Sequence, residues 1–189
     1  MIRRWLTLGA FTLAVLLFAL NATVMDAIDE PIAFAYGITP SAAGWAADAY
    51  LFALVGVLIP LKARRSVFLS AVAVFGVASI VASFATEATA LVGGRAVQGL
   101  AAAVAIRAGF VLLVAAFQGA RVWPLVVAVS AAIIVGYVGG PVWGGYVAEM
   151  FSCRWVFLAD VLPAVVAAAL FVGVPKADTA GATRPLPAP

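Results

Sequence analysis

Arg95 is the residue best placed to do chemistry in this sequence. It lies in Leu91-Val-Gly-Gly-Arg95-Ala-Val-Gln98-Gly99-Leu-Ala101-Ala102-Ala103, inside a largely apolar run from about Ala90 to Phe117. Arg95, Gln98, Gly99 and Ala102 recur at i, i+3, i+4 and i+7, so a helix carries them on one face as a polar, small stripe. A charge at bilayer depth costs at least ~2.5–3.5 kcal/mol on insertion scales, which makes each such group a candidate for handling a proton, an ion or a charged substrate. The alternative for Arg95 is structural, its long stem snorkelling outward to lipid headgroups. The other candidates are Asn21 and Asp26 at the far end of the first apolar run, Asp160 in the last, and Arg107 deeper in the run of Arg95. Arg107 either lines an aqueous cavity or is tolerated without a role, and Asp48 is read as solvated at the interface. A buried, unpaired Arg95 would be costly, so an acid partner is expected, Asp26 first and Asp160 second.

The same inventory excludes much else. There is no His, which removes His catalysis, His ligation and His proton relays together. The single cysteine, Cys153, can form neither an intrachain disulfide nor a zinc site. No Gly-x-Ser-x-Gly elbow is present. Neither an enzyme, nor a bound metal, nor a cofactor is expected.

These side chains need helices to hold them, and one stretch says how the helices pack. Gly136 to Gly145 reads Gly-Tyr-Val-Gly-Gly-Pro-Val-Trp-Gly-Gly within an apolar run from about Val122 to Val147. Gly136, Gly140 and Gly144 fall on one helix face, where a neighbouring helix can approach backbone to backbone. Pro141 removes the hydrogen bond to the Tyr137 carbonyl and kinks the helix at the same place. In a soluble helix this clustering would cost ~1 kcal/mol per Gly and ~3 kcal/mol for Pro relative to Ala. In lipid it becomes a packing and bending device.

The composition is 66% hydrophobic and 10% charged, where a soluble domain carries about 25% charged residues, so the chain reads as an integral membrane protein. Six helical spans are expected at about 5–25, 42–61, 66–84, 90–117, 122–147 and 155–174, in one all-α domain over 1–175. The Pro-, Ala- and Thr-rich segment 176–189 is expected to be a disordered cytoplasmic tail, and 31–41 a loop. Trp45 and Tyr50 are placed near the interface. The net charge of +3 is a topology signal rather than a mark of nucleic-acid binding. Arg3, Arg4, Lys62, Arg64, Arg65, Arg121, Lys176 and Arg184 fall on one side with Asp178, and Asp29, Glu30, Glu87 and Glu149 fall on the other with Arg154. The positive-inside bias then puts both termini in the cytoplasm and Cys153 outside.

Two of these motifs coincide, in order, with those of a known family. Gly136 to Gly145 resembles the antiporter signature G-x-x-x-G-P-x-x-G-G of the fifth span of the major facilitator superfamily, and Leu91 to Ala103 is similar to its fourth-span motif l-x-x-x-R-x-x-q-G-x-a-a-a. Trp45 and Tyr50 resemble the W-x-x-x-x-Y opening of span two in the fourteen-span drug:proton antiporter branch. Ser152, Arg154, Trp155, Phe157 and Leu158 resemble its S-W-R-W-x-F-L entry to span six. Leu20, Ala22, Thr23, Ile32 and Ala33 echo L-D-x-T-x-x-N-x-A-L-P-x-I-A of its first span. The resemblance runs from about Thr12 to Val174 and corresponds to the amino-terminal six-helix half of such a transporter. It implies two inverted three-helix repeats, proton coupling at Arg95, and a conformational role for Gly136, Gly140, Pro141, Gly144 and Gly145.

The departures are specific. The first-span acid of the pattern falls on Asn21, and the pattern's Asn falls on Asp26. Asp160 replaces the Asn of span six, and Arg107 stands where Pro is common. The span two–three loop is reduced to Leu61-Lys62-Ala63-Arg64-Arg65, without the pattern's glycines and Asp.

The function expected is half-length, proton-coupled efflux of small amphipathic organic compounds by alternating access, in the plasma (bacterial inner) membrane. A homodimer, or a pairing with a second six-helix half, would complete it, because a face carrying Arg95, Gln98 and, in one reading, Arg107 cannot be left to lipid. The alternative is a non-transporting truncated gene product or a regulatory subunit of a full-length transporter.

Overall fold

A computed structural model describes residues 2–56, 64–118 and 122–173, and all the regular structure in them is helical. The expected tail 176–189, Lys62 and Arg121 lie outside the described residues. The first helix, α1, runs Ile2–Thr23 and tightens into a single 3-10 turn, Val24–Ala27. Then follow α2 (Asp29–Tyr36), α3 (Pro40–Gly56), α4 (Arg65–Ser83), α5 (Ala88–Ala116), α6 (Trp123–Met150), α7 (Cys153–Leu158) and α8 (Val161–Val172). Among the described residues five segments are long and apolar enough to cross a membrane: Arg3–Ala27, Arg65–Ser83, Ala88–Ala116, Trp123–Met150 and Cys153–Val172. The described part of the expected second span is α3, which is 17 residues long.

Two local features depart from the expectation. The segment expected as a loop over 31–41 is largely helical, holding most of α2 and the start of α3. Pro31 is harmless there because it sits in the first turn, where backbone N–H groups have no helical acceptor. Gly37, at φ 65°, closes α2 in the left-handed conformation that glycine adopts without steric cost. Ile38 N then donates to Ala33 O at 2.9 Å and Gly37 N to Phe34 O at 3.3 Å, the paired bonds of a Schellman cap. Tyr36 pins α2 to the end of α4, its hydroxyl reaching the carbonyls of Ala82 and Ser83 at 3.3 and 3.1 Å. Burial pushes that phenol up to about 12, so it stays a neutral donor.

The second departure is in the last span, which is broken between α7 and α8 at Ala159 and Asp160. Pro163 accounts for the break, since it has no N–H to return to the carbonyl of Ala159. The chain tightens there, Asp160 N donating to Phe157 O at 3.1 Å, before α8 resumes with Ala164 N to Asp160 O at 3.1 Å.

Packing follows the small residues. Helix α5 lies between α3 and α4, and α1 lies between α6 and α8 while also touching α5. Gly99 lets α5 lie against the Tyr50 carbonyl of α3, and Gly94 lets it approach Ala82 of α4. The apolar interior is in two parts. One holds Phe11, Phe18, Phe68, Phe75, Leu113 and Phe171, with the Phe18 and Phe75 rings 4.9 Å apart. The other holds Met25, Ile28, Ile32, Ala82, Leu91 and Phe157. Along each helix the two are separated at the same level, by Asn21 on α1, Ser79 on α4, Arg95 and Gln98 on α5, and Asp160 at the α7–α8 break. A polar layer therefore crosses the bundle between two apolar cores.

Candidate functional site

Every member of this layer is buried, and Arg95 is fully so, at 0% exposure. It sits about 10 Å along α5 from Ala88, at ~1.5 Å per residue. A guanidinium taken out of water needs acceptors for its donors, and it finds them on two helices. Nη1 donates to Asn21 Oδ1 and to Gln98 Oε1, both at 3.1 Å, and Nη2 donates to the backbone oxygen of Asn21 at 2.7 Å. Asn21 is among the last four residues of α1, where carbonyls run out of helical partners and are open to side-chain donors. Gln98 lies one turn on from Arg95 on the stripe read from the sequence. The guanidinium carbon is 4.3 Å from the ring centroid of Tyr50 on α3, a cation–π contact, and the Tyr50 hydroxyl donates to Phe18 O at 2.8 Å. Arg95 Nε has no hydrogen-bond partner among the described residues.

The acid of the layer is Asp160. Asn21 Nδ2 donates to Asp160 Oδ1 at 2.9 Å, so one amide stands between the guanidinium and the carboxyl. Ser79 Oγ lies 3.4 Å from Asp160 Oδ2, and Gln98 Nε2 donates to Ser79 Oγ at 2.7 Å. The contacts close into a ring: Arg95, Asn21, Asp160, Ser79, Gln98 and back to Arg95. It ties together four elements far apart in sequence. Its chemistry is that of a charge pair held apart by neutral polar groups.

The structure thus brings together Arg95, Gln98, Asn21 and Asp160 of the sequence candidates. Asp26 is exposed on the 3-10 turn, Arg107 is exposed on α5, and Asp48 is exposed on α3. Asp160, the second choice of acid, shares the ring with Arg95, and Asp26 does not reach it. The reason is local: the turn after α1 rotates Asp26 outward while Val24 and Met25 face inward. Arg107 shares its exposed face with Leu100, Val111 and Val114.

Two members escaped the sequence reading. The sequence puts Tyr50 at the interface beside Trp45, yet Trp45 is exposed and Tyr50 is wholly buried against Arg95. Ser79 carried no signal, because a serine that bonds back to the carbonyl four residues earlier, here Phe75 at 3.0 Å, passes for an apolar residue in a span.

A second construction joins α1 to α6. A Cβ built on Gly136 would fall 2.6 Å from Leu16 O, on Gly140 2.6 Å from Leu20 O, and on Gly144 2.8 Å from Val24 O. Three glycines four residues apart therefore meet three positions four residues apart, two on α1 and one on the turn that continues it, backbone on backbone. Gly139 has open space, and Gly145 makes only an ordinary contact with Ala27. Pro141 leaves the Tyr137 carbonyl without its helical donor, and the Thr23 hydroxyl supplies one at 2.8 Å.

The comparisons agree with this architecture. The chain matches the family described as Major Facilitator Superfamily over residues 6–188. It is similar to the protein named efflux pump apf11 of Gibberella fujikuroi, with 31% identity across 89% of this chain and 31% of that one. It is similar to multidrug efflux pump LfrA of Mycolicibacterium smegmatis, with 33% identity across 84% of this chain and 33% of that one. Cephamycin export protein CmcT of Amycolatopsis lactamdurans shares 30% identity across 78% of this chain and 32% of its own length. The chain thus spans about a third of the length of these curated relatives.

Proposed function

This chain belongs to the major facilitator superfamily, and on that premise we propose that it exports small amphipathic organic compounds in exchange for protons, by alternating access. It is a multi-pass membrane protein whose relatives are efflux pumps. The observation that carries the reading is the buried polar layer. A transporter that couples movement to a proton needs a titratable group shielded from bulk water and tied to several helices, and the ring of Arg95, Asn21, Asp160, Ser79 and Gln98 has that form. In this reading Arg95 and Gln98 organise the layer. The close seam of Gly136, Gly140 and Gly144 with α1, beside Pro141, lets the two helices rock as a pair, with Gly145 at its end.

The working unit in this proposal is a parallel homodimer, or a pairing with a second six-helix half, lying in the plasma (bacterial inner) membrane with both termini in the cytoplasm. Support comes from the side-to-side asymmetry of Lys and Arg, for the orientation, and from surfaces the described helices leave uncovered, for the partner. Arg95 and Gln98, expected to need a partner's cover, are instead wholly buried within this chain. On α6, Ile133, Ile134, Tyr137, Val138 and Trp143 are exposed, and on α5 Arg107 faces outward among apolar neighbours.

The test is mass determination in nanodiscs alongside proton-gradient-driven transport of a fluorescent amphipathic cation in proteoliposomes. A dimer that moves the dye only with a gradient is the expected result. A strictly monomeric protein that still moves the dye would refute the dimer. A monomer without transport would move the reading to a truncated or regulatory form of a full-length transporter.

A further inference from the structure

We propose that the exchangeable proton of this protein is carried by Asp160, at the break of the last span, and is held between Asp160 Oδ2 and Ser79 Oγ. This deepens the reading of the chain as a proton-coupled transporter and rests on it for the proton's purpose, though not for its place.

The place follows from a count of hydrogens. Ser79 Oγ carries one hydrogen and faces two acceptors, Phe75 O at 3.0 Å and Asp160 Oδ2 at 3.4 Å. That one hydrogen can serve only one of them at a time: the ionised carboxyl attracts it more strongly, and the carbonyl one turn back on α4 lies nearer. Both hydrogens of Asn21 Nδ2 are already committed, to Leu17 O at 3.2 Å and to Asp160 Oδ1 at 2.9 Å. While the carboxyl is ionised, the two contacts of Ser79 Oγ, to Oδ2 and to Phe75 O, therefore share one hydrogen, and one of them goes without. One proton on Oδ2 fills it. Asp160 then donates to Ser79 Oγ, Ser79 keeps its bond to Phe75, and Gln98 Nε2 takes the second lone pair of the hydroxyl at 2.7 Å. Every bond of the ring survives, Asn21 does not have to turn, and no buried polar atom loses a partner. The proton comes from water and returns to it, with no other bond made or broken.

The charges around Asp160 give that proton a consequence. From α5 the acid is faced by Arg95, and from α3 by Tyr50, while α1 and α4 present neutral Asn21 and Ser79. On α6, which packs against α7, Tyr137, Tyr146 and Glu149 are exposed, and Tyr36 of α2 is committed to the end of α4. Beside Asp160 on its own span, Cys153 lies in the other apolar core. Ionised, Asp160 balances Arg95 across the Asn21 amide. Protonated, it leaves Arg95 as a buried charge with no counter-charge among the described residues, a state that favours any rearrangement admitting water to the layer. Asp26, exposed on the turn after α1, has no such leverage.

The experiment is pH-difference infrared spectroscopy on the whole protein in lipid nanodiscs, read at the carbonyl stretch of a protonated buried carboxyl. This band should appear on acidification in the wild type and in Asp26→Asn, vanish in Asp160→Asn, and shift in Ser79→Ala, which removes its acceptor. Loss of the band in Asp26→Asn, or its survival in Asp160→Asn, would overturn the proposal. If Asp160→Asn does not fold, Ser79→Ala decides, because an unmoved band would exclude the Asp160–Ser79 site. The readout needs no transport. A titrating band without dye movement would leave the proton site standing and remove the exporter reading, and dye movement without the band would do the reverse.

Discussion

At the residue scale, the energetics turn on Arg95 and Asp160 being coupled without touching. The guanidinium reaches the carboxyl through Asn21 on one side and through Gln98 and Ser79 on the other, and each is stabilised by the other's charge across these neutral groups. Removing one member of a buried pair strands the other, at a typical cost of ~3–5 kcal/mol, whereas removing both spares that cost. Arg95→Gln and Asp160→Asn are each expected to lower thermal stability in detergent markedly, and the double variant to recover part of the loss. The same cycle run with Asp26→Asn should be additive, because Asp26 is exposed. Additivity in the Arg95–Asp160 cycle would mean that no such coupling exists. Arg95→Lys should not rescue Arg95→Gln, since an ammonium cannot serve Asn21 and Gln98 in the planar fork that also stacks on Tyr50.

At the element scale, α6 is held to α1 by the glycine seam and by one compensating bond. The seam predicts a steric rule. Gly140→Leu or Gly144→Leu inserts a side chain where the α1 backbone lies, and should abolish correct insertion, measured by expression and detergent-stable yield. Gly139→Ala, which points into open space, should be tolerated. A well-folded Gly140→Leu protein would sink the close-packing account. The bond predicts a rescue. Thr23→Val leaves the Tyr137 carbonyl without a donor and should cost about 1–3 kcal/mol. In a Pro141→Ala background the helix supplies its own N–H to that carbonyl, so the same Thr23→Val change should cost clearly less. An equal cost in both backgrounds would mean that the hydroxyl does not compensate for the proline.

At the scale of the whole molecule, the proposed topology needs a reporter other than the native thiol. Cys153 falls on the expected outer side but is buried, so a membrane-impermeant reagent should leave it unlabelled in intact and broken cells alike. Glu87→Cys, at an exposed turn between α4 and α5, should be labelled in intact cells when Cys153 is replaced by Ala. Labelling of that variant only after cell breakage would reverse the orientation. The polar layer makes a further demand at this scale. It lies between two buried apolar cores, so in the proposed mechanism the helices would part along the layer to admit a proton. In that mechanism the close seam between α1 and α6 would keep these two moving together rather than apart.

Composition and periodicity alone determined that the chain crosses a membrane repeatedly, that Arg95 and Gln98 share a face of one helix, and that three glycines line another. Those properties follow from residues within a few turns of each other, where a 3.6-residue repeat fixes what shares a face. The family resemblance was legible for the same reason, since its motifs are short and local. What only the tertiary structure decided is which groups meet across helices. Asp26 and Asp160 are both plausible partners for Arg95 on a linear reading. The choice between them depends on how the turn after α1 rotates Asp26 outward and how the break before Pro163 brings Asp160 in. Ser79 and the Thr23 hydroxyl were silent for a related reason. A hydroxyl in a span can satisfy itself on its own helix, and its second partner belongs to a helix that sequence spacing cannot place beside it.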